Sequence, residues 1–476
     1  MIENLIIGAG PAGIQMGHLF KESYLIVEKE DSPCSFFRTF PRQRRFISIN
    51  KNKRQRYDWN SFVGTGDTTL RDYTEALYPS ADDYLKYVYD FVEKNKINIR
   101  YNFEVVSIEK DDDIFLINGG ELRARRVFFG IGVRPREPPI NRGYTYANMP
   151  LDPDVYRGKR VHIIGSGNAA LETADYISPY TDVTEIWGRN VNAWKSHYPG
   201  NARSINFTSI DNYYLKARTV IHFTEEDSFP RSRLYQEALE YIYYHPDHLV
   251  IWCHGFEFKS KLVDGLVVVD KFPVVDHNFE STLCPNLFFI GATTQNHDYK
   301  KGTSAFIHGF RYNCEYLYKY LTRTIEYTQL KTRDELILKV FKQLNESPVL
   351  FHRFDQFCDL IGIDEDSFHY VQEIPIGAVE QFRDPSWCRY FTIKLGYTRD
   401  FADSFNQEIY VHPKDADKCR FIHPIIQYNS STFHLPEEEL NDYVLDKTHI
   451  YPFRLYLEHI MGGLSIGEVK MLINAI

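Results

Sequence analysis

Six residues, Gly8-Ala9-Gly10-Pro11-Ala12-Gly13, constrain this chain more than any other stretch. They follow Glu3-Asn4-Leu5-Ile6-Ile7, a short apolar run with β propensity, and open a helix-like stretch that extends to Phe20. Tyr24-Leu25-Ile26-Val27 then reads as a second buried strand ending in Glu28. Strand, glycine turn, helix, strand and terminal acid together make a complete βαβ dinucleotide-binding unit. Gly8, Gly10 and Gly13 let the backbone approach a pyrophosphate, while the helix N-terminus offers free N–H groups and partial positive charge. Glu28 is placed to accept hydrogen bonds from ribose hydroxyls, which suits a cofactor with a free 2′-OH. Because the unit opens the chain, FAD is expected there.

A second unit follows the same grammar. Val161-His162-Ile163-Ile164 leads into Gly165-Ser166-Gly167-Asn168-Ala169-Ala170 and a helix-like run to Ile177. The third glycine position is Ala170, and the next strand, Val183-Thr184-Glu185-Ile186-Trp187, ends in Gly188-Arg189 with no acid at its tip. Arg189 can pair with a 2′-phosphate that a carboxylate would repel, so NADPH is expected in preference to NADH. A third apolar run, Asn286-Leu287-Phe288-Phe289-Ile290, ends at Gly291 and precedes a helix-like segment over 303–320, which reads as a return to the first domain. The expected fold is α/β, with two Rossmann-like domains for FAD and NADPH and an appended C-terminal domain. Its boundaries are 1–155 for the first part of the FAD-binding domain, 156–270 for the NADPH-binding domain, 271–325 for the return segment and 326–476 for the appended domain.

Charge and cysteine usage exclude several function classes. The 64 acidic against 55 basic side chains give a net charge of -9, which argues against a long-range field drawing the protein to nucleic acid or anionic membrane. No apolar run reaches membrane-spanning length, and the first strand begins at Ile2, so a soluble, cytoplasmic protein is expected. Seven cysteines are scattered without a Cys-x-x-Cys, which removes a local zinc knuckle and an adjacent redox dithiol, and no metal site is expected.

The paired fingerprints, the second inserted into the first domain, resemble the two-dinucleotide-binding-domain flavoproteins, of which the flavin-containing monooxygenases are one branch. Residues 78–91 and the Tyr101-Asn102-x-x-Val105-x-x-Ile108 stretch resemble that branch's helix and adenine-side strand. Phe129-Gly130-Ile131-Gly132-x-x-Pro135 is similar to its Ala-Thr-Gly crossover, with Gly130-Ile131 in place of Ala-Thr. A closer resemblance, to the FAD-dependent oxidoreductase-domain proteins of the endoplasmic reticulum, rests on residues 8–16, Ser35-Phe36-Phe37, residues 47–51, Asp58-Trp59-Asn60-Ser61 and residues 306–312. Asn345-Glu346-Ser347 and Phe421-Ile422-His423-Pro424 extend it over nearly the whole chain. With no leader and an Asn-Ala-Ile ending, residence in that compartment is not expected to transfer.

The resemblance implies NADPH reducing the flavin, and O2 then giving a C4a-hydroperoxide that oxygenates a small or carrier-bound substrate at N, at S or beside a carbonyl. It places Asn50 as a positioner of peroxide or nicotinamide, with a turn cap as the plain alternative. His197, in Trp194-Lys195-Ser196-His197-Tyr198-Pro199-Gly200, orients nicotinamide or shuttles a proton, with a structural histidine as its alternative. Val105 on the adenine side, and Gly132, Gly291 and Gln295, are implied FAD-binding positions. Lys301, Thr303 and Ser304 precede a helix whose N-terminus faces the flavin N1–C2=O edge, and His308 packs within that helix or touches flavin. Arg38, Arg42, Arg44, Arg45, Lys51, Lys53, Arg54 and Arg56 form a rim for NADPH or an anionic, phosphopantetheine-borne substrate, or a solvated face. Two other functions stay open: an NADPH-flavin reductase or oxidase acting with a protein partner, and a flavin-stabilised module that docks a partner through 326–476.

Overall fold

The computed structural model describes residues 1–39, 45–49, 58–64, 68–189, 220–225, 233–258, 262, 266–269, 271–299, 301–397, 412–419, 422–437, 443–444 and 446–475. Three main sheets carry the fold. In the first, Ile2–Ile7 lies between Tyr24–Val27 and Leu122–Phe129, parallel to both, and Ile99–Arg100 pairs outside Tyr24–Val27. Leu5 and Ile6 are fully buried because helices and return segment cover both faces, which is why this strand reads as a continuous apolar run. Leu122–Phe129 then serves two further neighbours. Its first half pairs antiparallel with Ile114–Ile117, and its second half pairs parallel with Leu287–Phe289, the strand by which the chain returns.

The second sheet is entirely parallel, in the order Val220–Glu225, Val183–Arg189, Arg160–Ile164, Leu249–Trp252 and Tyr144–Thr145. The outgoing and returning chains pair antiparallel at Arg134–Pro135 and Phe256–Glu257, where Arg136 and Glu257 form an ion pair at 2.9 Å. Among the described residues no helix is long and apolar enough to cross a membrane.

The third sheet is antiparallel, in the order Tyr327–Leu330, Phe368–Pro375, Phe357–Ile363, Arg389–Gly396, His423–Tyr428 and Ser431–His434. One face carries Ile361, Ile363, Phe368 and Tyr370 against helices Arg333–Glu346 and Tyr451–Met461. The other carries Cys358, Leu360, Val371 and Ile374 into the same core as Phe310, Tyr316 and Leu317 of helix Ile307–Thr322. Phe357–Ile363 is therefore buried along its whole length, and the C-terminal region is packed into the first domain's core rather than tethered beside it.

Two sequence expectations shift in detail. The return helix begins at Ile307 and ends at Thr322, so residues 303–306 form a turn before it. Residues 102–107 form no strand; the Asn118 side chain holds them instead, accepting from Val106 N–H at 2.8 Å and donating to the Glu104 carbonyl at 2.9 Å. A side-chain amide there substitutes for a ladder.

The seam between helix Ile307–Thr322 and the third sheet holds buried carboxylates. Glu373 accepts from Ser347 Oγ at 2.6 Å and lies 3.8 Å from Lys319 Nζ, and burial raises its carboxyl to about 7. Asp359 accepts from Glu373 N–H at 2.8 Å and is raised to about 6, again chiefly by burial. Both groups bind protons in the folded chain at pH values where the unfolded chain has released them. Stability therefore falls as pH rises from the ordinary carboxylate range through these raised values. The difference in melting temperature between wild type and Glu373→Gln is expected to change with pH, in the wild type's favour at the acid end of this range and against it toward neutrality; a difference that stays constant with pH would show that Glu373 titrates normally.

Candidate functional site

The first glycine turn is locked by backbone contacts. Gly8 N–H donates to the Val27 carbonyl at 2.8 Å, and Gly8 has φ +103, with a Cβ there only 2.7 Å from the Gly130 carbonyl. A Cβ on Gly13 would lie 2.0 Å from the Gly8 carbonyl, so the helix packs onto the turn only because that side chain is absent. Gly10, by contrast, faces open space. Glu28 is buried at the strand tip: one carboxylate oxygen accepts the Ala9 N–H at 2.7 Å and the other the Glu30 N–H at 3.0 Å. A Cβ on Gly291 would come within 2.9 Å of Ala12 Cβ, so the return loop lies beside this helix. Gly8, Gly13, Glu28 and Gly291 thus converge.

The second turn repeats the contacts that Gly8 makes in the first. Gly165 N–H donates to the Trp187 carbonyl at 2.7 Å, Gly165 has φ +129, and a Cβ would lie 2.3 Å from the Cys253 carbonyl. Gly188 lets the neighbouring strand pass Ser166, whose Cβ would be 2.5 Å from an added Cβ. Ala170 is fully buried where the first turn has Gly13. At the tip of Leu249–Trp252, His254 is held neutral, since burial beside Arg136 lowers it to about 4.

Helix ends show what these turns can hold. Helices Ala81–Lys94, Arg333–Glu346 and Ile466–Asn474 close their own N-termini with Ser or Thr caps and an acid three residues on. Pro11–Phe20 and Asn168–Ile177, capped only by Gly10 and Gly167, have no side-chain cap and no acid in the first turn. Their amides and dipole are left for an anion, and an open Gly10 face beside the buried Glu28 carboxylate fits the pyrophosphate and ribose of FAD. Ile307–Thr322 also lacks a cap and a first-turn acid.

The implied flavin-edge residues are drawn into an internal network. Gln295 lies in the turn Gly291–Asn296 and donates to the Ala292 carbonyl at 2.7 Å, so its amide nitrogen braces its own loop. Thr303 Oγ1 donates to the His352 carbonyl, and Ser304 Oγ accepts from Asn313 at 3.1 Å. Val105 packs in the core, and Gly132 holds φ +70 in the crossover. His308 is buried between the rings of Phe306 at 5.2 Å and Trp59 at 4.5 Å. Asn50, His197, the Arg189 side chain and Arg42, Arg44, Lys51, Lys53, Arg54 and Arg56 lie outside the described residues. Arg38 is half-buried and paired with Asp31 at 3.0 Å.

Sequence reasoning missed the wall at the return helix. Trp59 meets His352 edge-on at 4.8 Å, and Phe351 flanks both. Arg353 forms an ion pair with Asp298 at 2.9 Å, both side chains being essentially sealed from solvent. Their partners are 55 to 293 positions apart in sequence, so no local pattern announces them; only Trp59 stood in a motif already singled out.

The chain matches the pyridine nucleotide-disulphide oxidoreductase family over residues 5–291. It is 26% identical to the FAD-dependent oxidoreductase domain-containing protein 2 of Mus musculus, covering 96% of this chain and 83% of that one. The Danio rerio protein of the same description is 25% identical with the same coverage. In fold it is similar to a bacillithiol disulfide reductase from Staphylococcus aureus, at a TM-score of 0.51 and 15% identity, over 68% of this chain and 99% of that one. A flavin monooxygenase from Stenotrophomonas maltophilia superposes with a TM-score of 0.50 at 17% identity, over 68% and 98%.

Proposed function

Because the chain belongs to the pyridine nucleotide-disulphide oxidoreductase family, we propose that it binds FAD at the first turn and NADPH at the second, and acts as a monooxygenase on a small or carrier-bound substrate. The observation that carries this reading is the repeated pair of uncapped glycine-turn helices, one beside Glu28 and the other beside Gly188-Arg189. When bound, FAD supplies a ring system that accepts hydride from NADPH and reacts, once reduced, with O2. The chain's own residues bind and orient. The Gly10, Ala12 and Gly13 amides would face the pyrophosphate, Pro11 having none to offer, while Glu28 takes up the Ala9 amide and would meet a ribose. Neutral His254 adds no charge beside the second turn, and Trp59, Phe306, His308, Phe351 and His352 exclude water at the return helix. That exclusion favours oxygen transfer over loss of peroxide.

Electron relay to a partner's disulfide draws no support from the thiols. Among the described residues no cysteine is bonded to another, and burial raises Cys34, Cys253, Cys314 and Cys358, which keeps them as unreactive thiols. The test is anaerobic mixing with NADPH and with NADH, followed by O2 in the presence of amine, sulfide and ketone acceptors. NADPH is expected to bleach the flavin faster by at least about tenfold, a difference near 1.4 kcal/mol, and one acceptor class should be oxygenated with substoichiometric peroxide release. Stoichiometric peroxide with every acceptor would leave an oxidase or reductase in its place.

A further inference from the structure

We propose that Arg353, supplied by the C-terminal domain, is a positioning residue for the flavin, acting through Asp298 on the turn that leads into helix Ile307–Thr322. The proposal rests on the FAD reading above. Asp298 is the hub of that turn: its carbonyl accepts from Lys301 N–H at 2.8 Å and Gly302 N–H at 2.9 Å, and its Oδ2 from Ser304 N–H at 3.0 Å. Arg353 Nη1 reaches the same Oδ2 at 2.9 Å and Thr303 Oγ1 at 3.0 Å, and Thr303 Oγ1 donates onward to the His352 carbonyl. One guanidinium and one hydroxyl thus join the C-terminal domain to Thr303 directly, and to Ser304 through Asp298, in the turn before the helix. Asn313 Nδ2 ties Ser304 Oγ to Thr294 Oγ1 at 3.0 Å, which extends the bracing to the Gly291–Asn296 turn. The fit is close at two further points. A Cβ on Gly302 would lie 2.4 Å from Asp298 Oδ2, and one on Gly309 2.0 Å from the Thr303 carbonyl.

An ion pair this dry is a poor source of net stability, because desolvating both charges offsets most of their attraction. What it does supply is a fixed geometry. Asp298 Oδ1 is buried with no hydrogen-bond partner among the described residues, so a full acceptor is held at the turn without being used to fold it. The turn sets where the uncapped helix N-terminus points, and that N-terminus is the end suited to stabilise negative charge on a reduced flavin. The solved neighbours span 68% of this chain, whereas the curated relatives span 96% of it. A redox centre braced from the C-terminal domain accounts for that domain's being packed into the shared core.

The test compares wild type with the charge-neutral double variant Asp298→Asn/Arg353→Met, with Arg353→Lys and with Thr303→Val, reading FAD dissociation constant, flavin midpoint potential and thermal melt. The double variant removes both charges together and is expected to melt near the wild type. It should bind FAD about tenfold more weakly, with a potential more negative by about 30 mV, the two-electron equivalent of tenfold. Arg353→Lys should recover part of both, and Thr303→Val should shift them in the same direction. A folded double variant with wild-type affinity and potential overturns the proposal alone. Should that variant fail to fold, wild-type values in Arg353→Lys and Thr303→Val overturn it equally. A wild-type chain that takes up no FAD overturns both this proposal and the reading beneath it.

Discussion

Protein carrying Gly13→Val is expected to purify without flavin, whereas Gly165→Val should purify yellow and resist reduction by NADPH. The first outcome follows from a backbone contact that has nowhere to go. A Cβ at position 13 would meet the Gly8 carbonyl at 2.0 Å, and Gly8 is itself held by its N–H to Val27 and by its approach to Gly130. The helix must then lift off the turn, taking with it the amides that would face a pyrophosphate. At the second turn the obstacle is conformational as well as steric. Gly165 has φ +129, which a β-branched residue does not adopt, and its Cβ would sit 2.3 Å from the Cys253 carbonyl. Strain of this kind costs on the order of 1–3 kcal/mol before any clash is counted. Flavin content of the first variant should fall to about a tenth or less, and the reduction rate of the second by about 100-fold, near 2.8 kcal/mol at 1.4 kcal/mol per factor of ten. Absorbance ratios and stopped-flow traces measure both. Gly165→Val reduced at the wild-type rate would move the nicotinamide site elsewhere, and yellow Gly13→Val would deny the first turn its role.

Both turns were legible in the sequence because their chemistry is local. Gly8 to Gly13, and the strand tips at Glu28 and Arg189, lie within one βαβ unit each, and a turn that needs a positive φ or a close backbone approach leaves glycine at fixed offsets. The duplication was readable for the same reason: Gly8 on Val27 and Gly165 on Trp187 are one hydrogen bond made twice. The architecture beyond residue 326 was not. Phe357–Ile363 faces two cores and shows no alternation, so its apolar run carries no strand signature that distinguishes it from a buried helix. The side-chain network at the return helix was equally silent. Asp298 meets Arg353, and Trp59 meets His352, through the fold of the whole chain, and a buried Arg or Asp has the same letter as a solvated one.

Replacing Arg311 with Met is expected to lower the melting temperature by more than about 5 °C, a shift that corresponds to a loss of a few kcal/mol. Arg311 has no exposed surface, and its Nη1 donates to the carbonyls of Asp58, at 2.8 Å, and Ser61. Residues 58–64 contain no strand or helix, so their backbone groups depend on side chains brought from elsewhere. Gln15 of the first helix brackets Val63, accepting its N–H at 2.9 Å and donating to its carbonyl at 3.1 Å, while Tyr87 OH accepts the Phe62 N–H at 2.8 Å. The Asp58 carboxylate caps the turn, accepting from Asn60 N–H at 2.7 Å and Ser61 Oγ at 2.5 Å. Removing the guanidinium strips two buried carbonyls of their donor at once, and each acceptor left unpaired costs about 1–3 kcal/mol against a total stability of about 5–15 kcal/mol. Arg311→Lys keeps the charge but not the fork, so it should recover only part of the loss. The same loop carries Trp59 to His308 and His352, so its fluorescence should report the loosening before the global melt. A Met variant that melts with the wild type and keeps its tryptophan signal would show that the loop stands without Arg311, and that the aromatic wall is held by its own packing.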